Sequence, residues 1–198
     1  MTAIACIILA AGRSTRMGVA NKLLVDVGGE PMVRRVAEAA LASRARPVLV
    51  VTGHQAAEVG RALAGLDVTL VANPDYAAGL SSSLRAGLGA LPAGCDGALV
   101  MLGDMPEIGS AHIDRLLDAF APGAIIVPVH EGRRGNPVLW AAAHFAEMDQ
   151  LDGDAGARRL FARHADQVRE IDVGTTAIFA DIDTPEALAE LKAREGSR

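Results

Sequence analysis

Aromatic residues make up only 3% of this 198-residue chain, which holds one tryptophan, one tyrosine and four phenylalanines. It also lacks an excess of positive charge: 19 lysines and arginines face 24 aspartates and glutamates, for a formal net charge of −5. A nucleic-acid partner needs a basic field and stacking side chains, so both shortages argue against one. Cysteine is scarce. Cys6 and Cys95 stand far apart with no C-x-x-C pair, which argues against a disulfide scaffold or a zinc ribbon and suits a reducing cytoplasm. Apolar runs long enough to span a bilayer are missing, and no basic residues precede the opening AIACIILAAG as they would in a signal peptide. That opening reads as a first strand, and no membrane partner is expected. No internal repeat, biased tract or linker divides the chain. One domain is expected over residues 1–198, able to bury roughly 70% of its extended surface.

What the chain does have is an alternation of short apolar runs with longer amphipathic ones. Residues 3–10, 47–52, 67–73, 97–104 and 124–129 are continuously apolar rather than alternating, as in strands covered on both faces. Between them, PMVRRVAEAALAS gathers Val33, Val36, Ala37, Ala40 and Leu41 at helical spacing, and SAHIDRLLDAF does so with Ile113, Leu116, Leu117 and Phe120. Such alternation implies βαβ units and a mostly parallel sheet with helices on both faces, an α/β fold of three layers. Ligands of such sheets bind beyond the carboxyl ends of the strands. After residue 129 the rhythm changes to a glycine-rich turn, helices near 141–148 and 155–164, and a last helix with Thr184 as N-cap and Pro185 in its first turn. The expected organisation is a nucleotide-binding part over about 1–129 and an elaboration over about 130–198.

The stretch LAAGRSTRMGVANKLL, residues 9–24, leaves the first strand into glycine, hydroxyl and positive charge. Neither G-x-G-x-x-G nor the P-loop spacing is present, since Gly12 is followed by RSTRMG and Lys22 lies four positions after Gly18. What remains is Gly12 for close backbone approach, the hydroxyls of Ser14 and Thr15, and the charges of Arg13, Arg16 and Lys22, a set that matches a polyphosphate. The run LVMLGDMP ends a second apolar strand in Asp104 at the same sheet edge. Mg²⁺ takes one or two carboxylates together with phosphate oxygens and water, and Asp104 is the natural first ligand. His112, His130, His144 and His164 lack zinc-ligand spacing and read as surface or core residues; His54 lies just past a strand end, close to the expected site.

The motifs LAAGRSTRMGVANKLL, NPDYAAGLSSSLRAGL, LGDMP, RGNPVLW, GDAGAR and DIDTP, in this order, resemble those of nucleotidyltransferases of the molybdenum cofactor cytidylyltransferase type, in the MobA-like NTP transferase superfamily. The resemblance covers nearly the whole chain. It implies a Rossmann-like nucleotide-diphospho-sugar transferase fold of GT-A type, with a mixed C-terminal part of the sheet. It also implies a reaction of CTP with Mo-molybdopterin that gives the cytosine dinucleotide and pyrophosphate, and a recipient molybdoenzyme as a partner.

On that resemblance Lys22, Arg16 and Asp104 are the catalytic candidates. Leu9, Ala10, Ala11, Gly12, Arg13, Ser14, Asn73, Gly79, Ser81 and Ser82 join Arg16 and Lys22 as nucleotide-binding candidates. Gly135, Asn136, Pro137, Gly153, Asp154, Gly156 and Arg158 are candidates for the acceptor. The attacking phosphate is already anionic at neutral pH, so no general base is required. Ala11 stands where related guanylyltransferases carry a second glycine, which favours cytosine. Asp181 and Asp183 are two apart and would share a side of an extended segment; Asp181 is assigned to Mg²⁺ opposite Asp104, and Asp183 to the dipole of the helix that follows. The alternatives are a guanylyl- or sugar-phosphate nucleotidyltransferase or an oxidoreductase on the same fold, or a noncatalytic carrier of the cofactor. The absence of G-x-G-x-x-G speaks against a dinucleotide-dependent oxidoreductase, and intact Lys22 and Asp104 speak against a mere carrier.

Overall fold

A computed structural model describes residues 2–13, 21–153 and 156–195. In chain order its strands are β1 (Ile4–Ala10), β2 (Asp26–Val27), β3 (Glu30–Pro31), β4 (Val48–Thr52), β5 (Thr69–Ala72), β6 (Gly97–Leu102), β7 (Ile125–His130), β8 (Arg133–Arg134), β9 (Val138–Ala141) and β10 (Val168–Asp172). The α-helices are α1 (Met32–Ala42), α2 (Ala56–Ala62), α3 (Leu80–Gly89), α4 (Ser110–Asp118), α5 (Phe145–Asp149), α6 (Leu160–Arg163) and α7 (Pro185–Glu195). Among the described residues, no helix is long and apolar enough to cross a membrane.

The main sheet runs in the order β10-β7-β9-β6-β1-β4-β5, with β8 paired to β7. β1 pairs in parallel with β4 and β6, β4 with β5, and β7 with β10. β9 enters antiparallel between β6 and β7, so the sheet is mostly parallel and becomes mixed in the second half. Every residue of β1 is buried, as a strand flanked by neighbours and covered on both faces requires. Alternate side chains sort to the two faces. Cys6, Ile8 and Ala10 pack with Val36 of α1, Val59 of α2 and Ile113 and Leu116 of α4. Ile7 and Leu9 face the other way, with Val51 and Ala98. There α3 lies close to the sheet, because a Cβ at Gly87 would stand 2.6 Å from Ile7 Cγ2.

Two local departures have physical causes. Residues 67–73 are expected to be covered on both faces, yet β5 is the edge strand and Thr69, Leu70 and Ala72 are exposed. Pro128, which has no N–H to donate to a ladder, sits in β7 beyond the last residue paired with β9, Ile126 opposite Leu139; its carbonyl instead accepts the Gly135 N–H at 2.9 Å.

The register fixes the working edge. Leu9 lies opposite Leu102, and the Gly103 N–H donates to the Leu9 carbonyl at 3.0 Å. Asp104 therefore emerges beside the loop that leaves β1. Because Val138 lies opposite Val100 on an antiparallel strand, Asn136 and Pro137 run on toward that same edge. The helix ending the chain starts there too: Thr184 Oγ1 accepts the Ala187 N–H at 3.3 Å, the expected N-cap ahead of Pro185.

Candidate active site

A cavity of about 420 Å³ opens at this edge, walled by Leu9, Ala11, Gly12, Arg13, Lys22, Leu23, Tyr76, Ala77, Gly79, Leu80, Ser83, Leu102, Asp104 and Asp183. Its polar centre is Lys22. Asn21 Oδ1 accepts the Leu23 N–H at 3.1 Å and so starts the 3₁₀ helix Lys22–Leu24, while Leu23 anchors that turn in the core. The Lys22 ammonium is thereby held 2.5 Å from Asp104 Oδ2 and 2.5 Å from Asp183 Oδ1. Burial pulls the Lys22 pKa down, but the two carboxylates outweigh it and the net movement is upward. Burial pushes the Asp104 carboxyl up and Lys22 opposes it, with the net movement again upward. One oxygen of Asp104 is bonded to Lys22; the other, Oδ1, is buried and has no hydrogen-bond partner among the described residues.

That orphaned oxygen makes a direct test of whether the residues suit a divalent cation. An unpaired, desolvated carboxylate oxygen is costly and gains most from a cation. A second carboxylate, Asp183, meets the same ammonium. Among the described residues no group of three or more His, Cys, Asp or Glu side chains gathers; a hard cation such as Mg²⁺ takes one or two carboxylates and completes its shell with water and phosphate. Asp104 and Asp183 fit that ion. Asp181, the residue assigned to it from the sequence, is exposed and is absent from the cavity wall. Residues 181–183 form no strand, so the alternation that would place Asp181 beside Asp183 does not operate there. The Ile182 N–H donates to the Asp104 carbonyl at 2.9 Å, and the cap at Thr184 fixes Asp183 at the cavity.

Of the nucleotide candidates, Leu9, Ala11, Gly12, Arg13, Lys22 and Gly79 line the cavity. Ala10 does not, because strand alternation turns it into the opposite core. Asn73, Ser81 and Ser82 are buried behind the wall. Asn73 Nδ2 donates to Ser82 Oγ at 2.9 Å and Ser83 Oγ at 3.0 Å, while Ser82 Oγ lies within bonding distance of the Asp75 and Gly79 carbonyls. These groups are spent on holding the loop, and Ser83 is the serine whose residue reaches the cavity. Gly79, at φ +105°, permits the turn into α3. Ser14 and Arg16 lie outside the described residues, as does Asp154.

Of the acceptor candidates among the described residues, none lines this cavity. Gly135 is pressed against Ile178, whose carbonyl oxygen a Cβ would approach to 2.4 Å, and the Asn136 N–H donates to that carbonyl at 3.0 Å. Asn136 and Pro137 reach the working edge through the register described above. The Gly153 carbonyl accepts the Ser81 N–H at 3.2 Å, and Arg85 holds the carbonyls of Asp149 and Leu151, each at 3.0 Å. This second loop is therefore tied to the first turn of α3. Gly156 opens the 3₁₀ helix Gly156–Arg159, and the side chain of Arg158 lies outside the described set.

Sequence reasoning missed Tyr76, Leu80, Ser83 and Asp183. Tyr76 carried a usable signal, being the only tyrosine of the chain and standing within NPDYAAGLSSSL. The Arg13 guanidinium lies over its ring, 5.5 Å from the centroid. A Cβ at Gly53 would come within 2.6 Å of Tyr76 Cβ, so that glycine makes room for the ring. His54 packs against the same ring at 6.1 Å between centroids, behind the cavity wall.

The family model described as MobA-like NTP transferase domain matches residues 6–168. Over 198 residues the chain is 30% identical to the molybdenum cofactor cytidylyltransferase of Escherichia coli, covering 98% of each protein. It is 41% identical over 128 residues to the bifunctional protein GlmU of Kineococcus radiotolerans, where the match takes in 63% of this chain but only 26% of that protein. The chain thus spans about a quarter of that longer relative. Among solved structures, Rv0371c of Mycobacterium tuberculosis in complex with manganese superposes with a TM-score of 0.81 at 28% identity, covering 97% of this chain and 99% of that one.

Proposed function

We propose that this chain, which belongs to the MobA-like NTP transferase family, transfers CMP from CTP to the terminal phosphate of Mo-molybdopterin, releasing pyrophosphate. The nucleotidyltransferase activity comes with the family; the base and the acceptor are our reading. The observation that carries it is the end-to-end similarity to the Escherichia coli molybdenum cofactor cytidylyltransferase, read together with a cavity of about 420 Å³ that presents Lys22, Asp104 and Asp183 at one point.

In this reading a phosphate oxygen of the acceptor attacks the α-phosphorus of CTP, and the bond to the pyrophosphate oxygen breaks. Such transfers depend on positioning and charge neutralisation more than on covalent help from the protein. Lys22 and Arg13 offset the negative charge that accumulates on the leaving pyrophosphate, with Arg16 and Ser14 as further partners on the same loop. Asp104 and Asp183 would hold a Mg²⁺ ion, which when bound would supply Lewis-acid neutralisation of the triphosphate. Ser83, Leu80 and Tyr76 line the side of the cavity formed by α3 and its preceding loop, and we assign them to the base and ribose. Asn136, Pro137 and the loop at Gly153 flank the edge from the second half of the chain, and we assign them to the pterin. Two free thiols suit a cytoplasmic location, where the product would pass to a recipient molybdoenzyme.

Pyrophosphate release from purified protein with Mg²⁺ and Mo-molybdopterin, supplied in turn with CTP, GTP, ATP and UTP, tests the reading. Release confined to CTP is expected; release with GTP alone would overturn the base, and release with none would overturn the acceptor.

A further inference from the structure

His54 stands outside the wall of the candidate nucleotide cavity, in a turn of unusual shape. The next residue, Gln55, lies in the left-handed region at φ +51°, a conformation uncommon for a residue with a side chain and one that gathers at functional sites. The His54 N–H donates to the Ala11 carbonyl at 3.2 Å, which ties the turn to the chain two positions before Arg13.

The His54 ring meets the Tyr76 ring, 6.1 Å away between centroids and tilted by 50°. The backbone at Tyr76 is already pinned: Asn73 Oδ1 accepts the Asp75 N–H at 3.0 Å, and the Asp75 carbonyl accepts the Ala78 N–H at 2.9 Å. Gly53, beside His54, lets the Tyr76 side chain approach so closely that a Cβ there would stand 2.6 Å from Tyr76 Cβ. What the backbone leaves free is the direction of the ring, and His54 is the neighbour that limits it.

The direction matters because of Arg13. Its guanidinium lies 5.5 Å from the Tyr76 centroid, and among the described residues it has no hydrogen bond or ion pair. An exposed arginine loses side-chain entropy when a ligand fixes it, and a ring that already holds the guanidinium reduces that loss.

We propose that His54 is a positioning residue: it sets the Tyr76 ring, which holds the Arg13 guanidinium toward the phosphates of the nucleotide. The phosphate step rests on the nucleotidyl-transfer reading above; the three-residue relay rests on the geometry alone.

Two measurements test it. Tyr76 is the only tyrosine of the chain, so protein grown on a fluorinated tyrosine gives one fluorine NMR resonance from this site. His54→Ala and Arg13→Met should each shift that resonance without any ligand. Calorimetric titration with CTP and Mg²⁺, in the absence of acceptor, reads the consequence. Arg13→Met should weaken binding by about tenfold or more. His54→Ala should weaken it by about two- to fivefold, the loss of a cation–π contact at an exposed site, and His54→Phe should restore it by restoring a ring. In the Arg13→Met background, His54→Ala should have no further effect. A resonance unmoved by both variants would overturn the relay. CTP binding unaffected by His54→Ala, or weakened by it equally with and without Arg13, would overturn the positioning role while leaving the nucleotide reading intact. Shifted resonances in a native chain that binds none of CTP, GTP, ATP and UTP would overturn the nucleotide reading and, with it, the phosphate step.

Discussion

The Lys22 ammonium lies 2.5 Å from Asp183 Oδ1 although 161 positions separate them in the chain. The first loop of the fold and the segment before its last helix are thus closed onto each other by one ion pair, with Asp104 as the third member. A cation such as Mg²⁺ and the Lys22 ammonium seek the same two carboxylates. Under the proposed function, charge brought by a nucleotide and its metal would rearrange an existing cluster.

Lys22→Met removes the positive charge at the centre of the cavity. Turnover should fall by about 10²–10³, the cost typical of losing one preorganised electrostatic partner. Circular dichroism should show the fold retained, because Leu23 and not Lys22 anchors the turn in the core.

The serines of α3 should separate by role. Ser82→Ala removes a hydroxyl bonded within the loop and should cost about 1 kcal/mol of stability with little change in KM. Ser83→Ala should cost a similar amount of stability, because its hydroxyl accepts from Asn73 at 3.0 Å, and should in addition raise the KM for nucleotide.

Gly53→Ala places a Cβ within 2.6 Å of the Tyr76 side chain and 2.9 Å of Ala11 Cβ. A loss of about 1–3 kcal/mol is expected from overpacking. Tyr76 should move with it, so nucleotide affinity measured by calorimetry should fall together with stability in denaturant.

Glu147 gives a pH signature. Its hydrogen bond to His164, at 2.7 Å, and then Arg163 hold its carboxyl below the ordinary value of 4.5. A carboxyl whose folded pKa is lowered contributes stability above its unfolded pKa and loses it as pH falls through the folded one. Glu147→Gln should therefore melt earlier than the native chain at pH 7. The gap should close on acidification below pH 4.5, as thermal melts across that range would show.

Much of this arrangement was legible in the sequence because it rests on local rules. The run of residues 3–10 reads as a doubly covered strand, Asp104 follows an apolar strand through a glycine, and Thr184 with Pro185 announces a helix start. What escaped depends on tertiary geometry. The choice between Asp181 and Asp183 turns on a non-strand segment whose path is set by the Ile182 bond to Asp104, 78 positions earlier in the chain. The three serines of GLSSSL look equivalent until the fold sets them apart: Asn73 engages Ser82 and Ser83, and of the three Ser83 belongs to the cavity wall. Likewise, Ala10 belongs to the same motif as Leu9 and Ala11 but faces the other way, a consequence of strand alternation that the motif alone conceals.

The most direct test is to follow label from CTP marked at its α-phosphorus into Mo-molybdopterin, comparing the native chain with Asp183→Asn and Asp181→Asn. The account predicts Mg²⁺-dependent labelling by the native chain and by Asp181→Asn, and labelling reduced by about 10² or more in Asp183→Asn. Native labelling by Asp183→Asn, or no labelling by the native chain, would contradict it.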